Sequence, residues 1–193
     1  MTNSEVHHSQ EKQMLKGPNW VFGFYKNLIR SKVNPKLKNL MNCPKLIERL
    51  SKETEDFAEI CDSQIIGMNS DHTDINMMSY FSTIDRYFSY KPDVPIYALM
   101  LFSFIVINKT LKFEPSKGYK VFAGCIILAQ KFIEDKPLSL GKLTEILCFP
   151  LKTLKELELF LFSKGLKYQI FRIKFMKFKE LVFQYEEDKV LSF

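Results

Sequence analysis

Two almost unbroken apolar runs dominate the middle of the chain, Pro95 to Ile107 (PIYALMLFSFIVI) and Tyr119 to Asp135 (YKVFAGCIILAQKFIED). The second stops abruptly in Gln130, Lys131, Glu134 and Asp135. A helix that is apolar all round has to be enclosed by other elements, so its charged end marks a place where a buried core reaches the surface. Two such helices in succession predict a layered all-helical domain with a surrounded centre.

The rest of the pattern is helical too. A short amphipathic helix is expected over Trp20 to Ser31, ending before Asn34-Pro35. Apolar residues at helical spacing follow from Lys36 to Cys61, split by Pro44, which suits the first turn of the second piece. After a linker at Gly67 to Asp71, turn residues divide the chain into five helices. They are expected at Asp74 to Tyr90, Val94 to about Lys109, Pro115-Ser116 to Asp135, Ser139 to Leu147 and Leu151 to Leu166, with Ser116 and Ser139 as N-caps. A basic amphipathic segment, Phe171 to Tyr185, places Phe171, Phe175, Phe178, Val182 and Tyr185 on one side. Packing of that stripe against the preceding helices is the preferred reading, over binding to a membrane surface or a partner groove. The organisation expected is an N-terminal extension over 1–35, flanking helices over 36–66, a helical bundle over 74–170 and a C-terminal helix over 171–193.

Composition supports a globular protein: 193 residues with 46% hydrophobic and 14% aromatic content suffice for a sizeable core. The net charge of +6 is confined to residues 1–45, which hold eight basic residues against Glu5 and Glu11. Such an arm can bind nucleic acid nonspecifically. Its charges are nevertheless sparse and interleaved with Trp20, Phe22, Phe24 and Tyr25, so an extension that partly docks on the domain is preferred. Cys43, Cys61, Cys125 and Cys148 show no metal-ligand spacing and are expected to be reduced, structural thiols of an intracellular protein. The N-terminus has no apolar signal region, and neither apolar run has the roughly 18 to 20 residues of a membrane span.

No catalytic motif is present. GxSxG, HExxH, GxxxxGK[ST] and GxGxxG are all absent, and the only histidines are His7, His8 and His72. Glu134 and Asp135 are adjacent and point to different sides of a helix, so they cannot act as an opposed pair. A non-enzymatic protein without metal or cofactor is expected.

The five-helix order, with a third helix reading Ala123-Gly-Cys-Ile-Ile-Leu-Ala-Gln-Lys-Phe-Ile-Glu-Asp135 and a fifth carrying LELFLF followed by LKYQI, resembles the cyclin box. The likeness covers Asp74 to Ile170, and Tyr80 to Ile84 with Tyr87 looks most like the P/U-type cyclins. It implies an all-α fold, a five-helix cyclin-box bundle with a buried central helix and flanking N- and C-terminal helices. It further implies a regulatory subunit, nuclear or cytoplasmic, that binds and activates a cyclin-dependent protein kinase in cell-cycle or nutrient-signalling control. By that resemblance Lys131 matches the lysine that donates to backbone carbonyls near the kinase's mobile helix. The fifth-helix glutamate is carried to Glu158, with Glu156 as a second candidate. Phe132, Ile133 and Phe162 are the neighbouring apolar positions expected to line the kinase-facing patch, core packing being their competing role. The chain departs from the family where a helix-one arginine bonds a helix-two aspartate: the second helix here reads Val106-Ile107-Asn108-Lys109. That departure leaves open a cyclin-like scaffold that does not activate, and the basic N-terminal arm and basic last helix leave open a cyclin-fold module that binds nucleic acid.

Overall fold

In the computed structural model the described residues are 20–29, 35–41, 74–108, 117–163 and 174–184. They form eight helical segments and no strand: α1 Trp20–Ile29, α2 Pro35–Met41, α3 Asp74–Tyr87, α4 Asp93–Asn108, α5 Gly118–Ile133, α6 Leu140–Leu147, α7 Leu151–Ser163 and α8 over 174–184. Among these residues no helix is long and apolar enough to cross a membrane.

The two apolar runs become the paired centre. α4 and α5 make the most extensive helix contact of the fold. Every residue from Val94 to Ile105 is buried, as is every residue from Gly118 to Gln130. Neither helix has a polar stripe to offer water, so each needs neighbours on all sides. α7 and α6 cover α5, α1 and α2 cover α4, and α3 packs on α1 and α6. Ser103, within the buried run of α4, donates to the Leu99 carbonyl at 2.5 Å and so enters the core satisfied.

Gly124 permits the closest of these approaches. A Cβ built there would stand 2.5 Å from Leu161 Cδ1 of α7 and 3.5 Å from Leu157 Cβ. A glycine in mid-helix costs roughly 1 kcal/mol relative to alanine, and close packing of α7 onto α5 is what it provides.

α1 belongs to the same core. Tyr25 stacks on Phe102 of α4 at 5.1 Å and lies 4.6 Å from Phe81 of α3, while Phe81 and Phe102 both contact Phe122 of α5 at 5.2 and 5.8 Å. Four helices therefore meet in one aromatic cluster. The stripe of α8 is likewise turned inward: Phe175, Phe178 and Val182 are buried, with Phe178 against Phe24 of α1 at 5.8 Å. Phe171 and Tyr185 lie outside the described residues, as does the acidic helix expected after Pro44.

Several helix ends differ from expectation. α3 stops at Tyr87, because the Lys91 amide closes a turn on the Phe88 carbonyl at 2.8 Å. α5 starts at Gly118 with Lys117, not Ser116, in the cap position, and the lysine side chain supplies no cap bond. It ends at Ile133 because Glu134 turns extended, although the Glu134 amide still donates to the Gln130 carbonyl at 2.9 Å. Ser139 does cap α6, accepting from the Lys142 amide at 3.3 Å. Asn108, at the place where the resemblance expects an acidic residue, donates from Nδ2 to the carbonyls of Met41 and Phe104 at 2.9 and 3.0 Å.

The thiols divide. Cys125 is fully buried, and burial pushes its thiol well above the ordinary range. Cys148 corrects the expectation of buried structural cysteines, since it is exposed in a left-handed backbone conformation after α6. That turn directs the next residue, Phe149, inward to stack on Tyr119 at 5.8 Å.

Candidate functional site

α5 is buried up to Gln130 and breaks the surface with Lys131. The helix is held along its whole length, so the side chains of its last turn are presented from a fixed mount. Lys131 Nζ donates to Glu158 Oε1 of α7, joining two helices whose partners are 27 residues apart in sequence. The lysine side chain is 41% exposed and the glutamate 21%, so the pair is accessible from outside. An ammonium has three donors, and one bond to Glu158 leaves two for another acceptor.

At about 100° per residue, Leu151, Lys155, Glu158, Leu159 and Phe162 fall on one side of α7. The opposite side, with Thr153, Leu154, Leu157, Phe160 and Leu161, is buried. Leu159 is 70% and Phe162 62% exposed, two large apolar side chains flanking the Lys131–Glu158 pair on the surface. An accessible charge pair bordered by an aromatic and a leucine has the composition of a protein-binding centre.

The residues singled out in sequence thus take different places. Phe162 faces outward. Phe132 and Ile133 are only partly exposed and pack against the core, with Phe132 edge-on to Tyr97 of α4 at 6.0 Å. Glu158 is the glutamate in contact with Lys131; Glu156 lies one helical turn from Lys152, which approaches it to 3.9 Å. Core packing and surface exposure, indistinguishable for Phe132 and Phe162 on residue type, are separated by the helix phase.

Sequence reasoning missed the other side of the site. Lys91, in the turn between α3 and α4, donates to Glu134 Oε2 just after α5. Lys131 and Glu134 are one helical turn apart, so α5 ends between two ion pairs, one to the α3–α4 turn and one to α7. Tyr90, beside Lys91, is 94% exposed. Nothing in the local sequence pairs Lys91 with a residue 43 positions away.

The basic N-terminal stretch looks different from a nucleic-acid platform. Its aromatic residues Phe22, Phe24 and Tyr25 are buried in the core, where they cannot stack on bases. No protein-family model, no curated protein and no solved structure matches this chain.

Proposed function

We propose that the α5–α7 surface binds the mobile regulatory helix of a cyclin-dependent protein kinase and holds the kinase in its active arrangement, as cyclins do. The observation that carries this reading is the contact between Lys131 and Glu158. The resemblance draws these two residues from separate stretches of sequence, and the fold joins them beside exposed Phe162 and Leu159. A buried α5 clasped by α4, α6 and α7 is also consistent with the central helix of a cyclin box, with α3 to α7 as its five helices.

The chemistry required is modest. Phosphoryl transfer in a kinase depends on its own Lys–Glu ion pair and metal-binding aspartate being in place. A partner that binds the active arrangement about 5.5 kcal/mol more tightly than the inactive one takes the population from 1:99 to 99:1. Lys131 donates its remaining N–H groups to backbone carbonyls of the kinase, Glu158 holds the ammonium in place, and Phe162 and Leu159 bury against apolar side chains. Rigid mounting reduces the ordering cost of binding, so more of the contact energy goes into the population shift.

The test is co-purification with a panel of recombinant cyclin-dependent kinases, followed by kinase assay. The chain is expected to activate at least one of them, and a Lys131→Ala, Glu158→Ala variant to retain the helical circular dichroism spectrum and lose activation. A folded double variant that activates fully overturns the site. Binding without activation points to a scaffold, and strongly salt-dependent DNA binding with no kinase bound points to a nucleic-acid module.

A further inference from the structure

The last turn of α5 is tied to the C-terminal helix by two routes, both through the start of α4. In the first, Tyr97 is buried between two rings, Phe132 of α5 at 6.0 Å and Phe175 of α8 at 5.0 Å. In the second, Lys179 of α8 lies 2.9 Å from Asp93 Oδ1, at the first residue of α4, while Lys91, two positions earlier, holds Glu134 at the end of α5. The Lys179 side chain is 13% exposed and that of Asp93 40%, so this ion pair is partly shielded from solvent and salt.

Helix ends fray because their last carbonyls lack partners within the helix. Here Phe132 and Glu134 are the residues that are gripped, one and three positions after Lys131 in the closing turn of the helix. Neither Tyr97 nor Phe175 belongs to the outward face formed by Lys131, Glu158, Leu159 and Phe162.

We infer that α8 sets the order of the final turn of α5, with Tyr97 and Phe175 as positioning residues, and thereby sets the affinity of the Lys131–Glu158 surface for its partner. The statement about affinity rests on the kinase-binding reading; the statement about order does not. A docked α8 fixes Lys131 before the partner arrives, and a loosened one leaves that ordering to be done at binding, with weaker affinity as the result. Release of α8 by a competing segment would then lower binding without touching the interface.

The test compares two substitutions in one helix. Phe175→Leu keeps an apolar side chain but removes the ring against Tyr97; Phe178→Leu makes the same change against Phe24 of α1. Amide hydrogen exchange is followed at Glu134, whose N–H bonds the Gln130 carbonyl, with the Leu143 amide of α6 as reference, because it bonds Ser139 far from α8 in the chain. Phe175→Leu is expected to speed exchange at Glu134 roughly fivefold relative to Phe178→Leu, and to weaken affinity for an activated kinase of the panel by a similar factor. Phe175→Tyr is expected to restore both. Exchange at Glu134 no faster in Phe175→Leu than in the unmodified chain overturns the inference, and equally fast exchange in both leucine variants overturns the assignment of the positioning role to Phe175 and Tyr97. Faster exchange with unchanged kinase affinity overturns the control of binding. If the unmodified chain binds no kinase, the kinase reading falls, and the exchange comparison still decides whether α8 orders α5.

Discussion

Lys131 of α5 and Glu158 of α7 hold each other across the junction of the two helices, at the point where the buried centre of the fold first meets water. An exposed ion pair of this kind contributes about 0.2–1 kcal/mol. Lys131→Ala is therefore expected to leave the thermal midpoint nearly unchanged while abolishing kinase activation. The charge swap Lys131→Glu with Glu158→Lys should recover the stability but not the activation. Thermal denaturation run beside a kinase assay separates the two effects.

Gly124 and Leu161 predict a coupling of opposite signs. In the native background Gly124→Ala drives its methyl group against Leu161, a buried side chain with little room to move, and overpacking costs about 1–3 kcal/mol. Once Leu161→Ala has opened the space, the same change should stabilise by about 1 kcal/mol through helix propensity alone. Urea denaturation of the four proteins in this cycle measures the coupling, and equal effects in both backgrounds would rule out the contact.

Tyr25 and Tyr80 predict the response to alkaline pH. Burial pushes both phenols well above the ordinary value of 10.0, and the neighbouring acidic groups, Tyr119 for Tyr25 and Cys148, Tyr25 and Tyr119 for Tyr80, add to the effect. Their hydroxyls have no hydrogen-bond partner among the described residues. The folded state thus keeps its protons after the unfolded chain begins to lose them, so stability is full below pH 10 and falls above it. The slope is about 1.4 kcal/mol per pH unit for each tyrosine. Tyr80→Phe is expected to be tolerated at neutral pH and to flatten that decline, as read by denaturant titrations between pH 8 and about pH 11.

Cys148 carries the fold's one described non-glycine residue at positive φ, 55°. A side chain in this left-handed region costs roughly 1–2 kcal/mol, which glycine avoids. Cys148→Gly is expected to stabilise by about 1 kcal/mol, the gain being reduced by the greater freedom of glycine in the unfolded chain. A higher denaturation midpoint checks it; a lower one would mean that the side chain has a packing role.

Much of this architecture is legible in the sequence because its strongest signals are local. The unbroken apolar runs of α4 and α5 announce two enclosed helices, and Ser139 announces the start of α6. Helix phase sufficed to put Phe175, Phe178 and Val182 on one buried side. What the sequence withholds depends on distant residues. Phe132 and Phe162 are both aromatic residues next to last in their helices, and only the packing of α7 on α5 tells which one is outside. The role of Gly124 becomes visible with Leu161 above it, and Lys91 finds Glu134 only when the α3–α4 turn folds back on α5. The aromatic residues of α1, interleaved with basic ones, read as parts of an arm until Tyr25 meets Phe81 and Phe102.

The enclosure of α5 also divides the molecule by its tolerance to change. Along Gly118 to Gln130 nearly every substitution has to be absorbed by a packed neighbour, so variation there is opposed by stability. At Lys131, and across Leu159 and Phe162, side chains can be exchanged at little cost to folding. Partner choice can therefore diverge through a handful of positions while the scaffold that presents them stays the same.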